Sequence, residues 1–176
     1  MRKTLKEVII EEGKVSLEIR EQYLKGLDVR AIRNKLEEIG VDRHMILELR
    51  STEIAVLTPF GVIMQIRAYD HDQLGLWGGV LEEDEEPAAG AVRELKEETG
   101  LEITEEQLQF VEINEHFHEY ANGDKAYFHS YRYILELDYV PKIVTDEESV
   151  GAIMVVHTIL SHQQEFVKRV LGEIDN

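Results

Sequence analysis

The chain has no cysteine. Disulfides and thiolate metal sites are therefore excluded, and a reducing compartment is compatible with the composition. Long hydrophobic runs are also missing. No stretch approaches the roughly 20 apolar residues that a membrane-spanning helix needs. The opening MRKTLKEVIIEEGK turns charged too early for a secretory signal, so the cytoplasm is the expected location. Proline is scarce, with three in 176 residues, and nothing in the chain reads as a linker, repeat or low-complexity tract. Basic residues are few: 19 against 36 acidic ones, for a net charge of −17. Nucleic acid is disfavoured as a main partner, because binding it requires a basic footprint. What remains is ordinary for one globular domain with a small extra element at its start, including a hydrophobic content of 43% that suffices for a real core.

The acidity is concentrated, and one stretch of it is ordered. From Gly79 to Leu101 the chain reads GVLEEDEEPAAGAVRELKEETGL. Fixed within it are Gly79, Glu85, Arg93-Glu94-Leu95, Glu97-Glu98 and Gly100-Leu101, the pattern G-x5-E-x7-R-E-U-x-E-E-x-G-U with U a bulky aliphatic residue. Pro87 to Thr99 reads as a helix. Pro87 suits its first position, where the missing N–H has no helical partner, and Gly100 suits the left-handed stop. At about 100° per residue, Ala88, Val92 and Leu95 share the core side. Glu94 and Glu98 lie one above the other, and Glu97 lies beside them. Three carboxylates thus crowd one arc, away from the apolar side.

Like charges at this spacing repel unless a cation sits among them. Mg²⁺ suits such a set, being a hard ion held by a few carboxylates together with substrate phosphates. Arg93 can orient a carboxylate on the arc. Gly78 and Gly79 allow close backbone approach, so one of their carbonyls can be a further ligand. The alternative is a solvated face carrying an Arg93–Glu97 surface ion pair.

The complete pattern resembles the Nudix box, and the chain is identified on it as a member of the Nudix hydrolase family. The resemblance implies an α/β/α sandwich with a mixed β-sheet, in which the box forms a loop–helix–loop. It implies hydrolysis of a nucleoside diphosphate linked to another group, dependent on Mg²⁺ or Mn²⁺. By the same resemblance Glu97 and Glu98 are the main metal ligands, and Glu94 is a further ligand or the water-activating base. The carbonyl of Gly78 or Gly79 is a backbone ligand, while Glu85 and Arg93 hold the helix and its carboxylates in place. The family often adds a carboxylate from a downstream loop. Glu147 and Glu148 are the first candidates here and Glu115 and Glu119 the second, against solvated charge for all four.

Outside the box the reading is coarser. Residues 1–44 form an N-terminal extension and 45–176 the Nudix domain. In the extension, Val8–Ile19 suggests a hairpin, while Glu18–Leu24 and Val29–Ile39 suggest short helices, with Asp28 and Gly40 as their N-cap and stop. These helices resemble a helix-turn-helix weakly; packing or dimerisation is the plainer role, so a homodimer is a possibility. Strands are expected at Glu53–Thr58 and Val62–Ala68 around the turn Pro59-Phe60-Gly61, at Leu108–His118 and Ala126–Leu137 around Asn122-Gly123, and at Ile153–Val156. A last helix is expected from Ser161 to Leu171, with Gln164 in a capping-box position. Trp77 can stack on a base or line the site, or it can pack in the core. His116 and His118 face one side of a strand, as a metal pair, as substrate contacts or structurally; His71 is similar. Tyr120, Tyr127, Phe117 and Phe128 can supply a stacking wall or the core.

The expected function is metal-dependent pyrophosphate hydrolysis of a nucleotide. Substrate choice falls to the N-terminal segment and to the loops Tyr69–Leu76 and Glu119–Lys125. ADP-ribose and nucleotide sugars are slightly favoured by analogy with relatives that dimerise through an added N-terminal element, and nucleoside triphosphates remain open. The alternative is a non-catalytic nucleotide sensor, with the N-terminal helices used for partner contacts.

Overall fold

A computed structural model of the chain describes residues 2–4, 7, 29–68, 73–147, 149–155, 166, 169, 170 and 172. The expected hairpin at Val8–Ile19, the helix at Glu18–Leu24, the Asp28 cap, His71, Glu148 and most of the helix from Ser161 lie outside these residues. The described elements are β1 (Lys3–Thr4), α1 (Val29–Glu38), β2 (Ile46–Thr58), β3 (Gly61–Arg67), β4 (Leu74–Gly75), α2 (Pro87–Thr99), a 3-10 turn (Glu105–Gln107), β5 (Leu108–Glu119), β6 (Lys125–Glu136) and β7 (Ser149–Val155).

The seven strands form one mixed sheet in the order β4-β3-β2-β6-β5, with β1 paired to β2 and β7 to β3. β1 runs parallel to β2, with Lys3 opposite Leu47. β3 runs antiparallel to β2, β4 and β7. The β2–β3 turn closes where Pro59 and Phe60 predict it. Thr58 Oγ1 donates to the Gly61 carbonyl at 2.9 Å and accepts from the Phe60 N–H at 3.2 Å. β2 is longer than the expected Glu53–Thr58, because Leu47, Leu49 and Ser51 alternate with Glu48 and Arg50 and lie on one buried face.

The residues pack into two compact units: Met1–Ser51, Val80–Glu86 and Ile113–Ser130 in the first, Thr52–Gly79, Pro87–Glu112 and Tyr131–Asn176 in the second. In the first, Ile32 and Leu36, one turn apart on α1, pack with Leu47, Leu49, Ala126 and Phe128. Phe128 is therefore a core residue, and His116 stacks on its ring at 5.3 Å. In the second unit, Ile54, Val56, Ile63, Trp77, Ala91, Leu95, Tyr133 and Leu135 form one cluster. Another gathers Ala55, Val62, Met64, Leu76 and Phe166.

A buried charged clamp secures the first unit. Arg33, 2% exposed, donates to the carbonyls of Arg43, Met45 and Lys125. Asp124 takes a two-pronged contact from Arg43, Nε to Oδ1 and Nη2 to Oδ2, each at 3.2 Å. Asn122 Nδ2 adds a bond at 3.1 Å. Burial by itself would push the Asp124 carboxyl up, but the hydrogen bonds from Arg43 and Asn122 and the charges of Arg33 and Arg43 outweigh it and hold the carboxyl below its ordinary value. A lowered folded-state value means that the stabilisation is full above the unfolded value of about 3.9 and is lost as pH falls through the folded one. Asp124→Asn is expected to cost about 1.5–3 kcal/mol at pH 7, the worth of a hydrogen bond to a charged group. The gap between the urea curves of wild type and variant should narrow as pH is taken below 4; a gap independent of pH would contradict the clamp.

Candidate active site

α2 spans the expected residues, Pro87–Thr99. Gly100 stops it with φ of 75° and an N–H donated to the Lys96 carbonyl at 2.9 Å. Its buried stripe differs in detail from the expectation. Ala91 and Leu95 are fully buried and Ala88 packs beside them, whereas Val92 is only half-buried. The buried stripe is therefore rotated by one residue, with Ala91 in the place expected for Val92.

The three carboxylates are not equivalent. The Glu97 side chain is 55% exposed and that of Glu94 13% exposed, while Glu98 as a residue is 2% exposed. The sequence placed all three away from the apolar side. The helical period sets Glu98 about 60° from Leu95, at the border of the buried stripe, and tertiary packing closes over it. Its burial is offset by a partner: Glu98 Oε2 accepts the Gly78 N–H at 2.8 Å. Arg93 Nη1 bridges the other two, at 2.8 Å from Glu94 Oε1 and 3.3 Å from Glu97 Oε2. Arg93 thus restrains two carboxylates whose charges would otherwise repel.

The two glycines before the helix are required by close approach. Residues 77–79 run beside β2: Ile54 donates to the Trp77 carbonyl at 2.7 Å and Thr52 to the Gly79 carbonyl at 2.9 Å. Gly78 has φ of 139°, and a Cβ there would lie 1.9 Å from the Thr52 carbonyl oxygen. A Cβ on Gly79 would lie 2.7 Å from the Glu94 carboxylate. Both positions therefore exclude larger residues, and at Gly79 the missing side chain lets the Glu94 carboxylate approach the backbone.

Trp77, for which stacking beside a substrate was one expectation, is fully buried and donates its indole N–H to the Ile63 carbonyl at 2.9 Å. Glu85 serves its own turn in the first unit: its Oε1 accepts the Glu82 N–H at 3.0 Å, and its carbonyl accepts Arg50 Nη2 at 3.1 Å. Glu147 is exposed just before β7. Glu115 is held by His129 Nδ1 at 3.0 Å and by the Tyr127 hydroxyl at 3.2 Å. Glu119 is exposed at the end of β5. His118 sets its ring edge-on to Tyr120 at 4.4 Å.

Among the described residues no three acidic or imidazole side chains converge as a ready metal cage. The donor set nonetheless fits Mg²⁺ or Mn²⁺: hard carboxylate oxygens of Glu94, Glu97 and Glu98 on successive helical turns, with the Glu94 carboxylate close to the Gly79 backbone. Mg²⁺ is commonly completed by substrate phosphates and water rather than by an all-protein cage.

Residues 49–170 match the NUDIX domain family. The chain belongs to that family, and with its box complete it is a Nudix pyrophosphohydrolase. Among solved structures it is similar to the Escherichia coli dihydroneopterin triphosphate pyrophosphohydrolase, with TM-score 0.57 and 21% identity over 69% of this chain and 94% of that one. It is also similar to the MutT protein of Methanosarcina mazei Go1, with TM-score 0.56 and 17% identity over 73% and 96%. A third similar structure is a bifunctional NMN adenylyltransferase/ADP ribose pyrophosphatase of Francisella tularensis, solved with AMP and a Mn ion, with TM-score 0.51 and 21% identity over 80% and 42%. No curated protein matches the chain. These likenesses establish the mixed-sheet α/β Nudix fold. No helix among the described residues is long and apolar enough to cross a membrane.

Proposed function

We propose that the chain hydrolyses a pyrophosphate bond in a nucleoside diphosphate linked to another group, with Mg²⁺ or Mn²⁺ held by Glu94, Glu97, Glu98 and the carbonyl of Gly78 or Gly79. The observation that carries this reading is the graded carboxylate set on α2. One member is buried and fixed by a backbone N–H, and two are bridged by Arg93. A merely solvated acidic face has no need of the first. Bound there, the cation would neutralise phosphoryl charge and favour the hydroxide form of water.

The chain's own residues supply position and proton handling. Water adds to one phosphorus and the bridging P–O bond breaks. Two phosphate-bearing products leave, one of them a nucleoside monophosphate. Glu94, partly exposed and held by Arg93, is suited to accept the water's proton. Glu98 is held in place by the Gly78 N–H, and Arg93 keeps Glu94 and Glu97 from swinging apart. Glu147 or Glu148 is a candidate for one further carboxylate.

ADP-ribose and nucleotide sugars stand first as substrates, supported by the segment that precedes the family match and by the analogy of relatives that use such a segment. The fold does not choose among them, since the neighbours named above carry different activities. A product-resolved panel settles the class: ADP-ribose, sugar nucleotides, dinucleoside polyphosphates, NADH and nucleoside triphosphates, each with Mg²⁺ and with Mn²⁺. Turnover of one class is expected, and chelation should abolish it. Ligand-induced thermal shifts without turnover on any substrate would replace this reading with a nucleotide sensor.

A further inference from the structure

Gln65 lies on β3 and is 1% exposed. A buried side-chain amide needs partners for both of its ends. Here each end reaches a different element. Nε2 donates to the Leu76 carbonyl at 2.9 Å, and Oε1 accepts the Ser149 hydroxyl at 2.8 Å. The partners also fix which way the amide points, because a flipped amide would set its oxygen against the Leu76 carbonyl oxygen. A methionine of similar volume would fill the same space, so packing alone does not call for an amide. What an apolar side chain cannot do is join Leu76 to Ser149.

Both partners lead to the box. From Leu76 the chain continues through Trp77 to Gly78, whose N–H holds Glu98. This segment and β3 clasp each other twice. Gln65 of β3 donates to the segment's backbone, and the Trp77 indole donates to the Ile63 carbonyl of β3. On the other side, Ser149 opens β7. Shortly before it, the Val144 N–H donates to the carbonyl of Thr99, the last residue of α2, at 3.0 Å. The chain from Val144 to Ser149 is therefore anchored at one end to the box helix. At the other end it is anchored, through Gln65, to the segment that carries Gly78.

We propose that Gln65 is a positioning residue of this active site. Anchored by Ser149, its amide holds the Leu76 backbone and so sets the Gly78 N–H against Glu98. This rests on Glu94, Glu97 and Glu98 being the metal ligands. Loss of a support of this kind commonly weakens metal binding by about 10–100-fold.

The test is Mn²⁺ alone, titrated into the full-length chain and followed by the electron paramagnetic resonance of free Mn²⁺. The temperature is one at which unfolding curves show each variant to be folded. Gln65→Met keeps the side-chain length and removes both bonds. It is expected to bind Mn²⁺ about 10-fold more weakly. Ser149→Ala cuts only the outer bond and reports in place of Gln65→Met if that variant does not fold; weaker Mn²⁺ binding is expected there too. Val62→Ala, at a fully buried position on the same strand, controls for a general loosening of β3. It should lose stability and bind Mn²⁺ as wild type does. Unchanged Mn²⁺ affinity in Gln65→Met or in Ser149→Ala would overturn the proposal. So would a loss in Val62→Ala as large as that in Gln65→Met, since β3 would then act only through the fold. Glu98→Gln in the same titration separates the two levels. If it loses Mn²⁺ while Gln65→Met does not, only the role of Gln65 falls. If it too binds as wild type, the metal-site reading falls with it.

Discussion

Glu98→Gln is expected to lower kcat by about 10²–10³-fold, the scale seen when one preorganised electrostatic group is removed from an active site. The substitution isolates charge from shape. Glutamine has nearly the same volume, and its carbonyl oxygen can still accept the Gly78 N–H that now meets Glu98 at 2.8 Å. The loop–helix junction should therefore survive, with urea midpoints close to wild type. What disappears is one carboxylate of the proposed cation-binding set. Glu97→Gln should follow in the same direction from its exposed position. Arg93→Ala should cost less, about 10–100-fold, because it only releases carboxylates that remain present. Near-wild-type turnover in Glu98→Gln, measured on whichever substrate the panel identifies, would remove Glu98 from the machinery.

The largest effect on stability is expected at Arg132, whose side chain is 4% exposed on β6. Its Nε donates to Glu53 Oε1 at 3.2 Å and its Nη1 to Glu112 Oε1 at 3.1 Å. Arg169 Nη2 reaches the same Glu112 oxygen at 2.5 Å, and the Arg132 guanidinium lies 5.0 Å from the Phe166 ring centre. Burial would raise the Glu112 carboxyl, but hydrogen bonds from Arg169 and Arg132 outweigh it and hold it below its ordinary value. Arg132→Met keeps the apolar length of the side chain and deletes the charge between two carboxylates. Breaking a buried pair from one side costs about 3–5 kcal/mol, because the other charge stays buried. At about 2–4 °C per kcal/mol for a chain of this size, Tm should fall by about 6–20 °C. Adding Glu53→Gln should recover part of the loss, since it removes the stranded charge. A urea-derived loss below about 1 kcal/mol would show that the network is solvent-screened.

Local rules carried some elements cleanly. Pro87 and Gly100 bound α2 because a missing N–H and a left-handed residue act within one turn of the chain. The Pro59-Phe60-Gly61 turn was legible for the same reason, as was α1, found at Val29–Glu38 where apolar spacing put it. Trp77 was not. A tryptophan beside a catalytic loop reads equally as a stacking surface or as core, and only the sheet around it, with the Ile63 carbonyl at 2.9 Å from its indole nitrogen, makes it core. Arg33, Asp124 and Arg132 were also illegible. A charge in a helix or strand reads as exposed by default, and its partners lie far off in the chain: Asp124 is 81 residues from Arg43, and Arg132 is 79 from Glu53.

The sequence by itself determined the family and the identity of the box residues. The chemistry there depends on residue types at helical spacing, which is a property of a short segment. Tertiary structure alone decided which carboxylate is buried and which is exposed. It decided that Gly78 must be glycine because β2 passes 1.9 Å from where a Cβ would sit, and that Thr52 stands opposite Gly79. Those facts depend on strands and a helix meeting across dozens of residues. Burial and register, unlike helical phase, are set by what packs against a segment rather than by the segment's own composition.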